Sequence, residues 1–153
     1  MGLVMRSLFI GVALLLGSSH ANAQPNADDV VGVWLNQAKD GYVQVFEENG
    51  EYFGQIAGAP LDSARREESN PEGGKNLLGM RILKDFSYNG DNLWEDGTVF
   101  DPDNGKTYSA KMWLEDENTL KLRGFIGFSL LGRTVVWSRS QRDAAGVEQD
   151  ILQ

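Results

Sequence analysis

The side chains of this chain with the greatest capacity for chemistry are its carboxylates, since it has 22 Asp and Glu residues, one histidine and no cysteine. Two carboxylates that face each other across a cleft are enough for glycosidase-type acid and base catalysis. The candidate acids are Asp62, Glu95, Asp96 and Asp101. No pair of acids stands out within a β-strand core, so a carboxylate-dependent hydrolase is the least favoured of three functions, and we assign no catalytic residue.

The segment Asp101-Pro102-Asp103-Asn104-Gly105 has part of the pattern of a calcium-binding loop. The glycine comes one position early, and Met112 stands where that loop needs its bidentate glutamate. The same residues suit a turn, because Asp101 can bond forward to the backbone and Pro102 presets φ. We therefore predict a plain turn and no metal site.

Residues 1–23 have the three regions of a secretory signal peptide. Arg6 supplies a positive charge, residues 8–16 form an apolar run, and Ala21-Asn22-Ala23 matches the cleavage pattern of a signal peptidase. The run is about half of the roughly 20 apolar residues that a spanning helix needs. We expect cleavage after Ala23, a periplasmic or secreted location, and no integral membrane segment in the mature chain.

Cleavage at this position would also narrow the available chemistry. It removes His20, the only histidine, and Arg6, so the formal charge changes from −8 to −9. Without His and Cys, the mature chain has neither Ser-His-Asp nor Cys-His catalysis, nor imidazole or thiolate ligands for zinc, copper or haem. We expect no cofactor and no enzymatic activity. The acidic balance without a basic stripe argues against nucleic acid as a partner.

Eight short β-rich segments follow residue 29 at spacings of about 8–12 residues, without a long amphipathic helix between them. Asn49-Gly50 predicts a hairpin turn, and Gly97 predicts a bulge or a close approach of backbone. The fold class that we predict is all-β: a single eight-stranded antiparallel up-and-down barrel over residues 24–140, after the signal peptide. Residues 141–153 form a polar tail with room for a short helix. The segments span 30–37, 42–48, 51–58, 79–86, 93–100, 106–115, 119–127 and 132–140.

Alternation along the segments predicts which side chains point into the barrel. In the sixth segment, for example, Tyr108, Ala110, Met112 and Leu114 share the apolar face. We predict that a small apolar or amphipathic ligand is contacted from inside, with Arg123 or Arg133 at an acidic head group and the 59–76 loop over one mouth. The predicted ligand-binding residues are Tyr42, Trp94, Phe100, Tyr108, Met112, Leu122, Arg123, Arg133 and Trp137.

Three further residues are predicted to have structural roles: Gly32, Trp34 and Arg139. In a closed meander the first and last strands are neighbours, so Trp34 would plug one barrel end and Arg139 would cross its ring. An eight-stranded barrel is either filled by side chains or holds one small ligand. The favoured function is therefore a binding module, and the alternative is an envelope or secreted protein-interaction domain with a filled barrel. The sequence does not indicate an oligomeric state.

Several of these residues carry a family resemblance. Gly32-x-Trp34, with an arginine on the final strand, resembles the lipocalin and calycin signature. Across nearly all of the predicted mature chain (24–153) the sequence resembles the bacterial domain-of-unknown-function family 2147, most distinctively in Phe100-Asp-Pro-Asp-Asn-Gly-Lys-Thr-Tyr108. The resemblance implies an exported bacterial protein with a lipocalin-like fold. The arginine-rich stretch of that family after Asn70-Pro71 is replaced here by Glu72-Gly-Gly-Lys-Asn76. The other matching segments are Asp40-Gly41, Leu78-Gly79, Leu122-Arg-Gly-Phe125, Leu131-Gly-Arg-Thr134 and Trp137-Ser-Arg139.

Overall fold

The structure, a computed structural model, describes residues 25–60 and 77–143. The predicted signal peptide (1–23), nearly all of the predicted covering loop (61–76) and most of the predicted tail (144–153) lie outside these residues. Two short 3₁₀ helices, Ala27–Val30 and Ser129–Leu131, accompany eight strands. The strands are β1 (Gly32–Leu35), β2 (Tyr42–Glu48), β3 (Glu51–Gly58), β4 (Arg81–Tyr88), β5 (Trp94–Asp101), β6 (Lys106–Asp116), β7 (Thr119–Phe125) and β8 (Arg133–Arg139).

The eight strands form one closed antiparallel barrel in chain order. Each strand pairs with the next, and β1 pairs with β8 through Trp34 opposite Arg139 and Leu35 opposite Ser138. Closure gives every strand two partner strands, which is how this architecture limits exposed sheet edges. The predicted all-β, eight-stranded barrel is confirmed. Among the described residues, no helix has the length and apolar character to cross a membrane.

The two ends of the barrel differ, and we name them by what they carry. The closed end has the β2–β3, β4–β5 and β6–β7 turns together with the first 3₁₀ helix. The open end has the connections β1–β2, β3–β4, β5–β6 and β7–β8. This assignment follows from the antiparallel order, because successive connections alternate between the ends. It places the 101–105 turn and the second 3₁₀ helix together at the open end.

Turn chemistry explains where the strands end. Asn49 and Gly50 both have positive φ, 56° and 86°, as a two-residue hairpin turn requires. In the 101–105 turn, Asp101 Oδ1 accepts from the Asp103 amide at 2.9 Å, and Gly105 has a φ of 69°. The predictions of a hairpin at Asn49-Gly50 and of a turn after Asp101 are confirmed.

The barrel interior is filled from the closed end upward by large apolar side chains. Trp34, Trp94, Phe86, Leu83 and Met112 are each fully buried. Packing is tight enough to require glycine at Gly97, where an added Cβ would lie closer than 3.0 Å to the Phe86 ring. The register also shifts between Trp94 and Gly97. Gly97 is thus both a bulge and a close approach, as the sequence predicts.

One aromatic pair lies on the outer face and resolves an ambiguity of β3, where Tyr52 and Phe53 are adjacent. Tyr52 belongs to the core, whereas the Phe53 ring stacks on Phe46 of β2 with centroids 5.9 Å apart. The Arg81 guanidinium covers both rings at 5.0 and 5.3 Å and pairs with Glu48 at 2.9 Å. The hydrogen bond from Arg81 holds the pKa of Glu48 below its ordinary value. This cation shields the outer aromatic pair from water.

Candidate functional site

The core stops short of the open end and leaves a small apolar pocket there, of about 130 Å³. Its wall contains Val43, Ile56, Leu77, Ile82 and Trp137, which come from β2, β3, β4, β8 and the β3–β4 connection. Apolar cavities of about 150 Å³ are large enough to bind one benzene ring. The pocket therefore has room for one short chain or one ring, and not for a whole lipid.

A bulge shapes one side of this pocket. Tyr42 pairs with Gly58 and Val43 pairs with Ile56, so Ala57 is the extra residue on β3. Because of this shift, both Tyr42 and the next residue, Val43, line the pocket, although neighbours on a regular strand would point to opposite faces.

Polar groups form the rim of the pocket. Asn36 Nδ2 donates to Asp40 Oδ1 at 2.7 Å, and Asn36 Oδ1 accepts from the Asp40 and Gly41 amides. Asp103 adds a second carboxylate to the lining. The ordered β1–β2 turn gives the pocket a fixed wall, and the polar part of any ligand would meet these groups.

The predicted ligand-binding residues are divided by the structure. Tyr42 and Trp137 line the pocket. Trp94, Met112 and Leu122 are 0–2% exposed and pack within the core, where they fill the space that the sequence predicts as a cavity. The physical reason is that the large side chains of β4, β5 and β6 meet across the half of the barrel nearer the closed end and occupy its interior volume.

The remaining predicted ligand-binding residues lie elsewhere. Phe100 lines a shallow groove with Thr98 and Thr107, and the Tyr108 hydroxyl accepts a hydrogen bond from Asn104 at 3.0 Å. Arg123 points away from the interior and bonds the β7–β8 loop, and Arg133 is exposed. Neither arginine is among the residues that line the pocket, so the expected contact with an acidic head group inside the barrel is not supported by their positions.

At the closed end, Trp34 and Arg139 meet in the arrangement that the closed topology leads us to expect. The Arg139 guanidinium lies 4.2 Å from the centre of the Trp34 ring, and this indole is fully buried. Arg139 also donates to the carbonyl oxygens of Asp29, Val31 and Glu117, at 2.5, 3.0 and 2.6 Å. Burial lowers the pKa of Arg139 below its ordinary value.

Gly32 contributes to the same contact at the closed end. It has a φ of 142°, and a Cβ there would lie 2.7 Å from Arg139 Nη1. A side chain at this position would displace the guanidinium from its carbonyl partners.

The first 3₁₀ helix completes the closed end because interior aromatic residues hold it. Trp34 Nε1 donates to Val30 O at 2.9 Å, and Trp94 Nε1 donates to Ala27 O at 3.1 Å. The Tyr52 hydroxyl donates to Asp28 Oδ1 at 2.9 Å, and burial and this carboxylate raise the pKa of Tyr52. The closed end is therefore sealed by specific contacts. An acidic depression of about 800 Å³ outside it, next to Arg139, is open to solvent.

Three of the four candidate carboxylates, Glu95, Asp96 and Asp101, lie in the part of the chain that the structure describes. Both carboxylate oxygens of Asp101 accept hydrogen bonds within its own turn. Glu95 accepts from Asn89 at 3.2 Å, Asp96 has a φ of 62° at the bulge, and Asp62 lies outside the described residues. No group of three acids in residues 25–60 and 77–143 could hold a metal ion.

Sequence reasoning missed all four aliphatic residues of the pocket wall: Val43, Ile56, Leu77 and Ile82. Val43 was within reach, because alternation with Val45 places both inside, opposite Gln44. Ile56 and Ile82 follow from the β3–β4 pairing, whose shifts at Tyr52, Gly54 and Gln55 have no clear signal in the sequence. It also missed the exposure of the β7–β8 loop, which it treats as a simple link.

The closed eight-stranded barrel, with one sealed end and a small pocket at the other, has a lipocalin-like fold. Residues 32–139 match the family described as "Uncharacterized protein conserved in bacteria (DUF2147)", and the chain belongs to that family. It is similar in structure to protein HP1028 of Helicobacter pylori, which is described as belonging to the lipocalin family. The TM-score is 0.57 at 20% identity, over 72% of this chain and 82% of that one. The search of curated proteins found no match.

Proposed function

We propose that this protein binds a small molecule without changing it chemically, and that an apolar chain or ring of this molecule enters the open-end pocket. The observation that carries the proposal is the apolar space between Val43, Ile56, Ile82 and Trp137, directly above a fully packed core. A lipocalin-like barrel is a fold that suits binding of this kind. Because side chains fill the half of the barrel nearer the closed end, only the apolar end of the ligand enters the pocket. The polar part of the ligand stays at the Asn36–Asp40 rim.

The size of the pocket gives this proposal a measurable form. Each methylene that leaves water contributes about 0.8 kcal/mol, which is about fourfold in affinity. For a series of straight-chain alcohols from butanol to decanol, we expect affinity to rise about fourfold per carbon. The rise should stop at roughly six carbons, when the pocket is full. Titration followed by the ¹H–¹⁵N signal of the Trp137 indole measures this, and Trp34 and Trp94 at the closed end serve as internal references.

A pair of matched variants locates the binding. Ile56→Phe places a larger side chain in the pocket and should abolish the Trp137 response, whereas Val136→Phe on the outer face of β8 should leave it unchanged. If no alcohol moves the Trp137 signal, or if Ile56→Phe responds like the original chain, the pocket is not the binding site.

The second candidate function, an envelope or secreted interaction domain, is favoured by a different observation. Four of the six large apolar side chains that are exposed in the described residues belong to the β7–β8 loop. Apolar side chains gathered in this way mark contact surfaces more often than scattered ones do. Both functions can coexist, because the loop and the pocket are formed by different residues.

We also propose that the protein acts in the periplasm or after secretion, on the pattern of residues 1–23. When the full coding sequence is expressed in a bacterium, we expect intact mass spectrometry to show an N-terminus at Gln24. Ala23→Pro should block processing, whereas Gln24→Glu should not, since only the first change alters the small residue at the cleavage site. A cytoplasmic product that retains residues 1–23 would contradict the proposal.

A further inference from the structure

The connection between β7 and β8 exposes the most apolar surface of the described chain. We call residues 126–131 the apolar loop. Its sequence, Ile-Gly-Phe-Ser-Leu-Leu, contains one polar side chain and no charge. The exposed fractions are 69% for Ile126, 78% for Phe128, 88% for Leu130 and 79% for Leu131. These side chains project from the rim of the open end and do not pack against the core.

Three backbone carbonyl groups at the tip of this loop are hydrogen-bonded within the protein. Arg123 Nε donates to Ser129 O at 2.6 Å, Arg123 Nη2 donates to Leu130 O at 3.2 Å, and the Leu131 amide donates to Phe128 O at 3.0 Å. Arg123 Nη1 also bonds Thr134 Oγ1 at 3.0 Å. A segment that enters a lipid surface must keep its carbonyl and amide groups bonded, because water is not there to replace them. These contacts provide a donor for three successive carbonyl groups at the tip, two of them from Arg123.

Charge is distributed unequally between the two ends of the barrel. The described open-end connections, together with the strand residues that flank them, carry similar numbers of basic and acidic side chains, in a chain whose formal charge is −8. The closed-end turns and the strand residues beside them are acidic, with Glu47, Glu48, Glu51, Asp91 and 115–117. The open-end charges are Lys39, Lys106, Arg123 and Arg133 against Asp40, Asp101 and Asp103.

We propose that the apolar loop inserts into the surface of a phospholipid bilayer, with Arg133 at the lipid phosphates and the acidic closed end turned away. A bilayer offers an apolar layer beneath anionic groups, and this order matches Phe128 and Leu130 at the tip with Arg133 at the base. A protein interface is typically enriched in Tyr, Trp and Arg, whereas the apolar loop contains none of these, and Ser129 is its single polar residue. This binding goes beyond the proposed ligand function and does not depend on it.

Cosedimentation with vesicles tests the proposal. The probes are vesicles of phosphatidylethanolamine with phosphatidylglycerol, and vesicles of phosphatidylcholine alone. All proteins are made from the full coding sequence and therefore share the same N-terminus. Differences in vesicle binding between them then measure the contribution of the apolar loop. The triple variant Phe128→Ser/Leu130→Ser/Leu131→Ser should bind at least about tenfold more weakly to both vesicles, because its apolar contact is lost. Val136→Ser, which alters an exposed apolar residue on β8, should bind like the original chain.

Two further variants separate charge from insertion. Arg133→Glu should weaken binding to the phosphatidylglycerol vesicles by about fivefold or more, and should affect phosphatidylcholine vesicles less. Phe128→Trp keeps the loop apolar and places an indole at its tip. The emission of this added indole should shift to the blue on binding and should be quenched by lipids brominated on the acyl chain. Such quenching supports insertion even if the triple serine variant folds poorly.

Three results would overturn the proposal. The first is equal binding by the original chain and the triple variant. The second is an added emission in the Phe128→Trp variant that lipid neither shifts nor quenches. The third is a chain that does not bind vesicles but self-associates in sedimentation velocity, with the association lost in the triple variant. In that case a second copy of this chain covers the loop.

Discussion

Trp34→Ala should lower the free energy of unfolding by about 3–5 kcal/mol, the range for removing a fully buried large aromatic side chain. Three contacts are lost together: the buried indole, its hydrogen bond to Val30 O, and the ring beneath the Arg139 guanidinium. Two of these contacts hold the first 3₁₀ helix: the hydrogen bond to Val30 O, and the Trp34 ring that supports Arg139, which donates to Asp29 O. The closed end should therefore become less ordered as well as less stable. Urea unfolding followed by far-ultraviolet circular dichroism measures the change.

Trp113→Ala is the matched control for this prediction, because Trp113 is a half-buried tryptophan on the outer face of β6. The free energy of unfolding of Trp113→Ala should fall by about 1–2 kcal/mol, since this substitution removes less buried apolar surface than Trp34→Ala does. If the two variants lose similar stability, the contacts of Trp34 at the closed end contribute no more to the stability of the barrel than those of Trp113 on its outer face.

Gly97→Ala should be destabilising by about 1–3 kcal/mol, although it adds only one methyl group. That methyl would meet the Phe86 ring at less than 3.0 Å, and both residues are buried in the packed interior of β4 and β5. The neighbouring strands cannot separate to make room, because the barrel is closed. The midpoint of thermal unfolding and the urea midpoint should both fall.

A double-mutant cycle tests the cause of this loss. In a Phe86→Ala background, the added methyl of Gly97→Ala has space, so its cost should disappear and the coupling energy should equal the single-variant loss. Gly124→Ala serves as a control, since its Cβ would lie 3.3 Å from the nearest Val99 atom and should cost less. A Gly97→Ala penalty that persists without the Phe86 ring would point to backbone strain at the bulge as its source.

Much of the fold follows from local features of the sequence. The alternation of Tyr108, Ala110, Met112 and Leu114 predicts the inner face of β6, and three of these side chains are buried as expected. Asn49-Gly50 and the Asp101 turn set the ends of their strands through positive φ and side-chain bonds. The contact of Trp34 with Arg139 follows from closure alone, because a meander of eight strands brings the first and last together.

The pocket could not be predicted in the same way, because it depends on volumes summed across strands. Trp94, Met112 and Leu122 point inward as alternation predicts, yet they fill the interior instead of lining a cavity. The sequence suggests Arg123 as a ligand contact, whereas its donors bond the loop that follows it along the chain. The first 3₁₀ helix escapes prediction because four residues carry no periodic signal.

The seam between β1 and β8 has a consequence for when this fold can form. The pairing of Trp34 with Arg139 joins residues at nearly opposite ends of the barrel sequence, and only two residue pairs complete it. Contacts so distant along the chain form slowly, because a long loop must close before they contribute. In a nascent chain whose β8 has not yet been synthesised, β1 and β7 each lack one of their two partner strands, and the barrel cannot close. The barrel can therefore close only after its last strand is available. Until then the chain is not fully folded, which is the state in which the proposed export would have to translocate it.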